Sequence, residues 1–386
     1  MKGGKTRVLH VIKTLSLGGA ETNLLNLVRA LDPARYENHV AYSFGGEIEG
    51  RFLKGGVRLF KYAEGSHKIK SFQTIPIVLR LARYILKHDI DVVHTHIFNA
   101  HIWGALAAKL SGRKVVEHVH DFRYLDPEDF TRRRGSNTQY RHAGRFASLS
   151  DRVIILTRQN RDFLVEKKLQ PDFKVRQIQN GIPLNGNVAQ ASGRRAEVRE
   201  KFGIADSAQV ILTSARISDE KNVDLVFRIV PEVLRHAPGA VFLISGDGPL
   251  LAPYKEKVRQ MGLEDRIRMI GYYDNAFELL AASDLFLLPS FLELHSIAVL
   301  EAMSMGLPLV LSKGVGSNDE FIIDGENGVL LDPFSDDGWA GAVVRILRET
   351  GLRESLGRKA KETVLEKFDI RRIARQFEGV YDELVR

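Results

Sequence analysis

Two cations and two carboxylates lie where they could together hold a charged ligand that is rich in hydroxyl groups. Arg216 and Lys221 follow the apolar run at residues 210–212. Glu293 and Glu301 stand eight residues apart, the first in a loop and the second in the helical pattern that follows. An Arg offers a bidentate fork and a Lys a point charge, so this pair suits a diphosphate. Because carboxylates accept hydrogen bonds from hydroxyls, the four residues predict a site for a sugar nucleotide.

Each of these pairs also has an ordinary interpretation as surface charge, because Arg, Lys and Glu are common residues. Their position favours binding, since both pairs follow a buried strand pattern. Domains of the α/β class bind ligands where a parallel strand hands over to a helix. Asn222 and Val223 then begin a helical pattern, and the N–H groups at a helix N-terminus attract anions.

The composition limits what kind of protein this chain can be. Its 386 residues are enough for two domains of ordinary size, and it contains no cysteine, which excludes disulfides, thiolate catalysis and Cys-type zinc sites. No apolar run reaches the roughly 20 residues that a membrane-spanning helix needs. The N-terminal residues lack the small-residue cleavage site of a signal peptide. We therefore expect a cytoplasmic protein.

The charge is distributed unevenly along the chain. Residues 1–180 contain 31 Lys and Arg against 17 Asp and Glu, a net charge of +14, whereas residues 181–386 have a net charge of −6. A basic first half predicts contact with an anionic membrane surface, at the inner face of the membrane, or with an anionic acceptor. No nucleic-acid-binding module accompanies the basic residues, so we expect no nucleic-acid partner. The densest basic segment contains Arg132, Arg133, Arg134 and Arg141.

Strand patterns and helical patterns alternate in both halves of the chain. This alternation predicts βαβ units, and hence two Rossmann-like, doubly wound parallel-sheet domains of the α/β class that face each other across a cleft. The turn-forming residues 180–186 mark the domain boundary. The predicted strands are residues 7–12, 38–43, 57–60, 91–96, 114–118 and 152–156, then 210–213, 241–245, 267–270, 285–288 and 309–311.

Gly18 and Gly19 follow the first predicted strand and could serve as a simple turn or as a ligand contact. Glycines in this position let backbone N–H groups approach a phosphate closely. The pair belongs to neither a GxGxxG fingerprint nor a P-loop, so it is a weak signal by itself.

Histidines are frequent in the first half of the chain, and His120 closes a predicted strand at the expected cleft. Asp121 could orient the His120 ring if the local turn folds back. A zinc site is the alternative, because alternation along two strands would place His94 with His96 and His118 with His120 on one face each. No fixed ligand spacing links these two pairs, and we therefore predict no metal ion.

Several motifs, in this order and spacing, resemble those of the retaining glycosyltransferases of family 4, the group 1 transferases, which have the GT-B fold. The resemblance covers nearly the whole chain. The matching segments are Gly18-Gly19-Ala20-Glu21, Val119-His120-Asp121, Asn180-Gly181-Ile182, Arg216 with Lys221, Ser245-Gly246-Asp247-Gly248-Pro249, and the E-x7-E motif from Glu293 to Glu301 with the segment after it.

The resemblance implies a GT-B enzyme with an N-terminal acceptor domain (1–182), a C-terminal donor domain (183–365) and a final helix (366–386) that packs back on the first domain. It implies that Arg216 and Lys221 hold the donor diphosphate and that Glu301 holds the ribose hydroxyls. The nucleotide base is expected near Gly271, Tyr272 and Tyr273. The implied catalytic residues are His120, Glu293, Arg216 and Lys221, and further donor contacts are expected from Gly18, Gly19, His295, Ser296 and Ile297.

The implied reaction transfers a sugar with retention of configuration and without a divalent metal ion, from a UDP-sugar more readily than from another donor. The acceptor would be a lipid-linked or polysaccharide precursor. One departure from the family concerns the donor pocket, where Leu294-His295-Ser296 replaces the usual Gly-Phe-Gly, so a side chain of His295 or Ser296 could replace a backbone contact. This departure keeps two alternatives open, a catalytically silent sugar-nucleotide-binding scaffold and, on the same fold, a nucleotide-sugar epimerase.

Overall fold

The computed structural model describes residues 4–63, 74–120, 148–184, 188, 191 and 193–386. The chain forms two compact units, one comprising Met1–Gly181 with Ile370–Arg386 and the other Ile182–Asp369. The predicted basic segment with Arg132, Arg133, Arg134 and Arg141, and also Asp121, lies outside the described residues. Within the described residues, no helix has the length and apolar character needed to cross a bilayer.

The first unit is a seven-stranded sheet in the order β3-β2-β1-β4-β5-β6-β7, and every neighbouring pair is parallel. Buried β-branched runs form the central strands, as a parallel sheet covered on both faces requires. Its elements are β1 (Thr6–Val11), α1 (Gly19–Ala30), β2 (Tyr36–Tyr42), α2 (Glu49–Lys54), β3 (Arg58–Lys61), α3 (Thr74–Lys87), β4 (Val92–His96), α4 (Phe98–Leu110), β5 (Lys114–His118), β6 (Arg152–Ile155), α5 (Arg158–Glu166) and β7 (Val175–Gln177), with a terminal helix at Ile370–Val385.

The second unit is a six-stranded parallel sheet in the order β10-β9-β8-β11-β12-β13. Its elements are α6 (Arg195–Lys201), β8 (Gln209–Ser214), a 3-10 turn (Asp219–Lys221), α7 (Val223–His236), β9 (Ala240–Ser245), α8 (Leu251–Met261), β10 (Ile267–Gly271), α9 (Ala276–Ala281), β11 (Leu285–Leu288), α10 (Ile297–Ser304), β12 (Leu309–Ser312), α11 (Asn318–Phe321), β13 (Val329–Leu331), α12 (Trp339–Arg348) and α13 (Thr350–Lys367). The terminal helix of the chain, in the first unit, is α14.

The predicted α/β class with two parallel-sheet units is confirmed, and the strands predicted from apolar runs coincide with observed ones. Sequence reasoning missed β7 and β13. Each has only three residues and forms one edge of its sheet, and at most one residue of each is buried. A run of three residues is too short for a sequence pattern to identify as a strand.

The terminal helix α14 covers one face of the first sheet. Its apolar stripe includes Ile373, Phe377 and Tyr381, and these pack with inward side chains of the central strands such as Val92 and Val116. The stripe at i, i+4 and i+8 is the pattern of an amphipathic helix on a sheet. This face of the sheet also carries the histidines described below.

Candidate functional site

Lys221 and Glu293 form a direct ion pair in the second unit. Lys221 Nζ lies 2.6 Å from Glu293 Oε1, and the same carboxylate oxygen accepts from Ser290 Oγ at 3.1 Å. The two charged side chains are only 17% and 10% exposed. An ion pair in this partly buried setting holds both side chains in one geometry. Lys221, which is predicted to bind the diphosphate, and Glu293, which is predicted to bind the sugar, therefore lie next to each other.

Backbone contacts bring the Lys221 turn and the Glu293 loop together. The carbonyl oxygen of Glu220 accepts hydrogen bonds from the N–H groups of Phe291 and Leu292, at 2.8 and 3.2 Å. Asn222 adopts the left-handed conformation (φ 49°, ψ 37°) between the 3-10 turn and α7, which an Asn tolerates better than most residues. Its amide donates to the carbonyl oxygens of Pro289 and Pro333. The sequence reading treated Asn222 only as a helix start and missed this bracing role.

Arg216 is exposed in the loop after β8, and no side chain of the described residues pairs with its guanidinium. The glycine turn, which comprises residues 246–248 after β9, is joined to this loop by backbone hydrogen bonds. Ile217 N–H donates to the Asp247 carbonyl at 2.9 Å, and Ala215 N–H donates to the Ser245 carbonyl at 3.0 Å. A cation held on a backbone-braced loop is available for an anionic ligand.

The glycine turn can approach this loop only because Gly246 lacks a side chain. Gly246 has φ +141°, and a Cβ there would lie 1.7 Å from the carbonyl oxygen of Ala215. We therefore expect Gly246→Ala to displace the Arg216 loop. The free energy of unfolding should fall by about 2 kcal/mol or more, and affinity for a nucleotide diphosphate should fall with it. Chemical denaturation and nucleotide titration measure the two effects.

Gly341→Ala is the matched control for this substitution. Gly341 lies within α12, and a Cβ there would meet no atom within 4 Å. Alanine should stabilise that helix by up to about 1 kcal/mol and leave nucleotide affinity unchanged. Unchanged nucleotide affinity in Gly246→Ala would contradict the bracing role of the turn.

Glu301 lies in α10 and offers a carboxylate without a protein donor. Its side chain is half-buried, and no group of the described residues donates a hydrogen bond to its carboxylate. Burial raises the pKa of Glu301 to about 7, and no neighbouring charge contributes to the shift. A desolvated, unsatisfied carboxylate is costly, and hydroxyl donors of a ligand would satisfy it. Holding the ribose hydroxyls stays the predicted role of Glu301.

The structure places the His295 ring in the core, and its predicted contact with the donor stays a prediction. His295 is 4% exposed, and its ring packs against Phe321 and Phe368 with centroid distances of 5.3 and 5.1 Å. Burial lowers the pKa of His295 to about 3, so the ring is neutral. The apolar packing explains this placement, since a neutral imidazole with aromatic neighbours behaves as a flat core side chain.

Ser296 and Ile297 lie at the start of α10, downstream of that ring. Ser296 is the N-cap residue, and its side chain makes no capping hydrogen bond. Both residues are half-buried. The first N–H groups of α10 are therefore available to an anionic or hydroxylated ligand.

Two residues that sequence reasoning missed support the Glu293 loop from the opposite side. Gly316 has φ +58°, and a Cβ there would lie 2.6 Å from the Glu293 carbonyl oxygen. Ser317 donates to the Leu294 carbonyl from both its backbone N–H (2.8 Å) and its hydroxyl (2.9 Å). The only sequence signal was the short Gly-x-Gly-Ser turn after β12, which does not indicate what the turn packs against.

Gly271 is the last residue of β10 and Tyr272 follows it, in the region where the nucleotide base is expected. Gly271 has φ +73°, and its carbonyl oxygen accepts from the Gly246 N–H and the Ser245 hydroxyl. This contact joins the base region to the turn that braces Arg216. Tyr272 is 46% exposed, which leaves its ring accessible for stacking.

In the first unit, Gly18 and Gly19 begin α1. Gly18 is the N-cap residue with extended backbone, and a Cβ there would lie 2.3 Å from the Glu21 carboxylate. Thr14 Oγ1 donates to the same carboxylate, and burial raises the pKa of Glu21. Among the described residues, and apart from the helix's own backbone, no atom lies within 4 Å of a Cβ placed on Gly19.

Among the described residues, five histidines share the face of the first sheet that α14 covers. The register pairs His10 with His94 and His96 with His118, and alternation keeps all of them on one side. His120 follows β5 on the same side, is half-buried, and lies 3.2 Å from His96 between Nε2 and Nδ1. The structure thus brings together the two histidine pairs that the sequence could not link.

Comparison with known proteins extends this description over both units. The family described as "Glycosyltransferase Family 4" matches residues 17–185, and the family described as "Glycosyl transferases group 1" matches residues 194–363. The two matches correspond to the first and second units.

Two relatives align with this chain over most of their length. One is the alpha-D-kanosaminyltransferase of Streptomyces kanamyceticus, which is 30% identical over 76% of this chain and 77% of its own. Another is the UDP-Gal:alpha-D-GlcNAc-diphosphoundecaprenol alpha-1,3-galactosyltransferase of Escherichia coli, 25% identical over 99% of this chain and 98% of its own.

Solved structures share the fold. Anabaena HepE (Alr3699) in complex with UDP-glucose superposes with a TM-score of 0.82 at 21% identity, covering 98% of this chain and all of that one. WaaG, a glycosyltransferase involved in lipopolysaccharide biosynthesis, superposes with a TM-score of 0.75 at 19% identity, covering 98% of this chain and 99% of that one.

Proposed function

Because this chain belongs to the GT-B glycosyltransferases of group 1, which use nucleotide sugars, we propose that it transfers a sugar with retention of configuration from a UDP-sugar to a lipid-linked or polysaccharide precursor. The observation that carries the proposal is the arrangement in the second unit. Lys221 is paired with Glu293, Arg216 is exposed on a braced loop, and Glu301 offers a carboxylate with a raised pKa.

We propose that the two cations replace the divalent metal that other transferases use. As the donor bond breaks, negative charge grows on the leaving diphosphate, and a positioned Lys and Arg stabilise that charge. Lys221 would then exchange part of its interaction with Glu293 for the diphosphate. This exchange would leave Glu293 able to accept from a donor-sugar hydroxyl.

The proposed retention follows a front-face route, in which the leaving phosphate oxygen helps to remove the proton of the acceptor hydroxyl. The family resemblance supports this route. Proton NMR of the product tests it, because the coupling constant of the anomeric proton reports whether the α configuration of the donor persists. An inverted product would contradict the proposal.

A lipid-linked acceptor at the inner face of the membrane is supported by the surface of α3. Ile75, Leu79 and Leu86 are exposed there at 71%, 44% and 58%, and Arg80 and Arg83 lie on the same exposed side. Exposed apolar residues flanked by Arg suit a bilayer surface with anionic head groups. The E. coli relative named above is named for a diphosphoundecaprenol acceptor, which also supports this class.

A thermal-shift panel tests the donor class first. UDP, GDP, ADP, UDP-glucose, UDP-N-acetylglucosamine and GDP-mannose are each added with and without EDTA. A ligand at about 100 times its dissociation constant adds roughly 2.7 kcal/mol of stability. We expect stabilisation by UDP and one UDP-sugar that persists in EDTA.

Four outcomes would contradict parts of the proposal. Loss of the shift in EDTA would contradict metal independence. A shift with GDP alone would contradict the UDP donor. Binding without transfer to any lipid-linked or soluble acceptor would favour the silent scaffold, and conversion of the donor without an acceptor would favour an epimerase.

A further inference from the structure

Three histidines and one asparagine form a continuous hydrogen-bonded file that ends at His120. His10 Nε2 lies 3.3 Å from Asn38 Oδ1, and His10 Nδ1 lies 3.2 Å from His96 Nε2. His96 Nδ1 in turn lies 3.2 Å from His120 Nε2. The file crosses three neighbouring strands, β2, β1 and β4, before it reaches His120, the second residue beyond β5.

The orientation of the Asn38 amide sets the direction of this file. Its Nδ2 faces the Val28 carbonyl oxygen at 3.5 Å, so its Oδ1 faces His10. The opposite orientation would set two oxygens against each other. His10 Nε2 must therefore carry the proton and donate to Asn38.

The two inner rings, His10 and His96, are neutral, so the donor and acceptor roles that are set at Asn38 continue along the file. Burial lowers the pKa of His10 to about 4 and the pKa of His96 well below its ordinary value. A neutral imidazole has one donor and one acceptor nitrogen. Because His10 donates from Nε2, its Nδ1 accepts from His96 Nε2–H. His96 Nδ1 then accepts from His120 Nε2–H.

We propose that Asn38, His10 and His96 are positioning residues that hold His120 as the Nε2–H tautomer, so that its Nδ1 accepts a hydrogen bond from a substrate hydroxyl. This inference rests on the proposed function for the identity of the substrate. It also specifies the direction of the hydrogen bond between His120 and the substrate, because His120 would accept from the hydroxyl and would not donate to it. The chemical group that it recognises is a sugar hydroxyl.

The far end of the file explains why it orients His120 and does not conduct protons. Asn38 is an amide and cannot take up a proton at neutral pH, so a proton that entered at His120 would find no exit there. A fixed file instead holds both the ring plane and the tautomer. Partners that orient a functional histidine in this way typically contribute 10- to 100-fold to affinity or activity in metal sites, and we expect a similar scale here.

Metal coordination by the same residues is the competing interpretation. One ring nitrogen from each of His10, His94 and His96 lies within 4.8 Å of the others, and the same holds for one nitrogen from each of His96, His118 and His120. Either ion would need a bare nitrogen on His96, whereas both of its nitrogens lie at hydrogen-bond distance from other rings. The file accounts for three of the rings without an ion, and metal analysis therefore belongs to the test.

The test compares His96→Leu with His96→Asn. Leucine removes the acceptor for His120 Nε2–H, whereas an asparagine oxygen can stand near the position of Nδ1 and restore it. We expect His96→Leu to lower kcat about 10- to 100-fold with UDP affinity within about threefold of wild type, and His96→Asn to recover most of the loss. Asn38→Leu is a second, more remote variant that should also lower kcat and that avoids a large change in the core.

Imidazole ¹⁵N NMR measures the tautomer and does not require enzyme turnover. It therefore tests the file independently of the proposed function. In the wild type we expect His120 to carry its proton on Nε2 and none on Nδ1. In His96→Leu and Asn38→Leu we expect a mixture of the two tautomers. His39→Asn is the control, because His39 bonds to Tyr84 and Glu37 outside the file. It should leave the His120 signals unchanged.

Three results would overturn the inference. A wild-type His120 with its proton on Nδ1 would reverse the direction of the file. Unchanged His120 signals in both His96→Leu and Asn38→Leu would show that the file does not act on the ring. A metal ion that copurifies at about one per chain and is lost in His96→Leu would make these nitrogens ligands.

Discussion

Replacing Lys221 with methionine is expected to lower kcat by about 10³-fold while the second unit stays folded. Removal of one positioned donor from a developing anion costs about 10²- to 10³-fold, and here a full charge is removed as well. Methionine keeps most of the side-chain volume, so packing changes little. Release of UDP from a UDP-sugar in the presence of acceptor measures kcat, and circular dichroism with a melting curve checks the fold.

The ion pair with Glu293 requires a control, because Lys221→Met leaves a carboxylate that is only 10% exposed without its cation. The double variant Lys221→Met/Glu293→Gln removes both charges and should recover most of any lost stability, as coupled neighbours do. Its activity should stay low. Recovery of activity in the double variant would show that Lys221 acts only as the structural partner of Glu293.

A second control compares Lys221 with another lysine of the same unit. Lys359 pairs with Glu326 on the surface, and neither residue is a candidate residue or a sequence neighbour of one, so Lys359→Met should leave kcat within about twofold. Full turnover in a folded Lys221→Met protein would refute the assignment of Lys221 to the diphosphate.

The second large effect is expected from Glu301→Gln, which should stabilise the protein at alkaline pH and still weaken donor binding. A glutamine cannot ionise, so it avoids the cost of a buried charge. It also replaces charge-assisted hydrogen bonds to hydroxyls with weaker ones, which should lower UDP-sugar affinity by about 10- to 100-fold. Isothermal titration at pH 8 measures the affinity.

The pH dependence of stability follows from the raised pKa of Glu301. The carboxyl titrates near pH 7 in the folded protein and near 4.5 when unfolded, so the folded state holds the extra proton between these values. Stability contributed by this group is therefore lost as the pH rises from about 4.5 to 7. Above pH 7 the cost reaches up to about 3 kcal/mol, which Glu301→Gln should remove.

Melting temperatures at pH 4.5 and pH 8.5 test this expectation. The variant and the wild type should melt at similar temperatures at pH 4.5, and the variant should melt several degrees higher at pH 8.5. Glu362→Gln, on an exposed turn of α13, is the control and should show no such difference. A Glu301→Gln protein that binds the donor as tightly as the wild type would contradict the role of Glu301 in holding hydroxyls.

Most of the fold could be predicted from local patterns, because buried parallel strands carry long apolar runs and amphipathic helices carry regular stripes. The stripe of α14 is strong enough to be detected alone. The two missed strands, β7 and β13, are edge strands of three residues. They are strands because they pair with the neighbouring strand of the sheet, and their own sequences do not show this.

The candidate site was less predictable, because its residues come from loops. The E-x7-E motif and the Arg216 and Lys221 pair were visible from residue type and spacing, whereas the bracing by Asn222 and Gly316 was not. The burial of His295 could not be predicted for the same reason. A residue's position in a motif does not show which way its side chain points, and the His295 ring packs into the core with Phe321.

The sequence by itself determined the α/β class, the two parallel-sheet units and the residue types available to a diphosphate and a sugar. These properties depend on composition and on short-range periodicity, which involve residues close together in the sequence. Tertiary structure alone decided that Lys221 pairs with Glu293, which stands 72 positions away. It also decided that Asn38, His10 and His96 form one file across three strands that ends at His120. Strand order and register bring such residues together, and neither can be read from the spacing of residues along one strand.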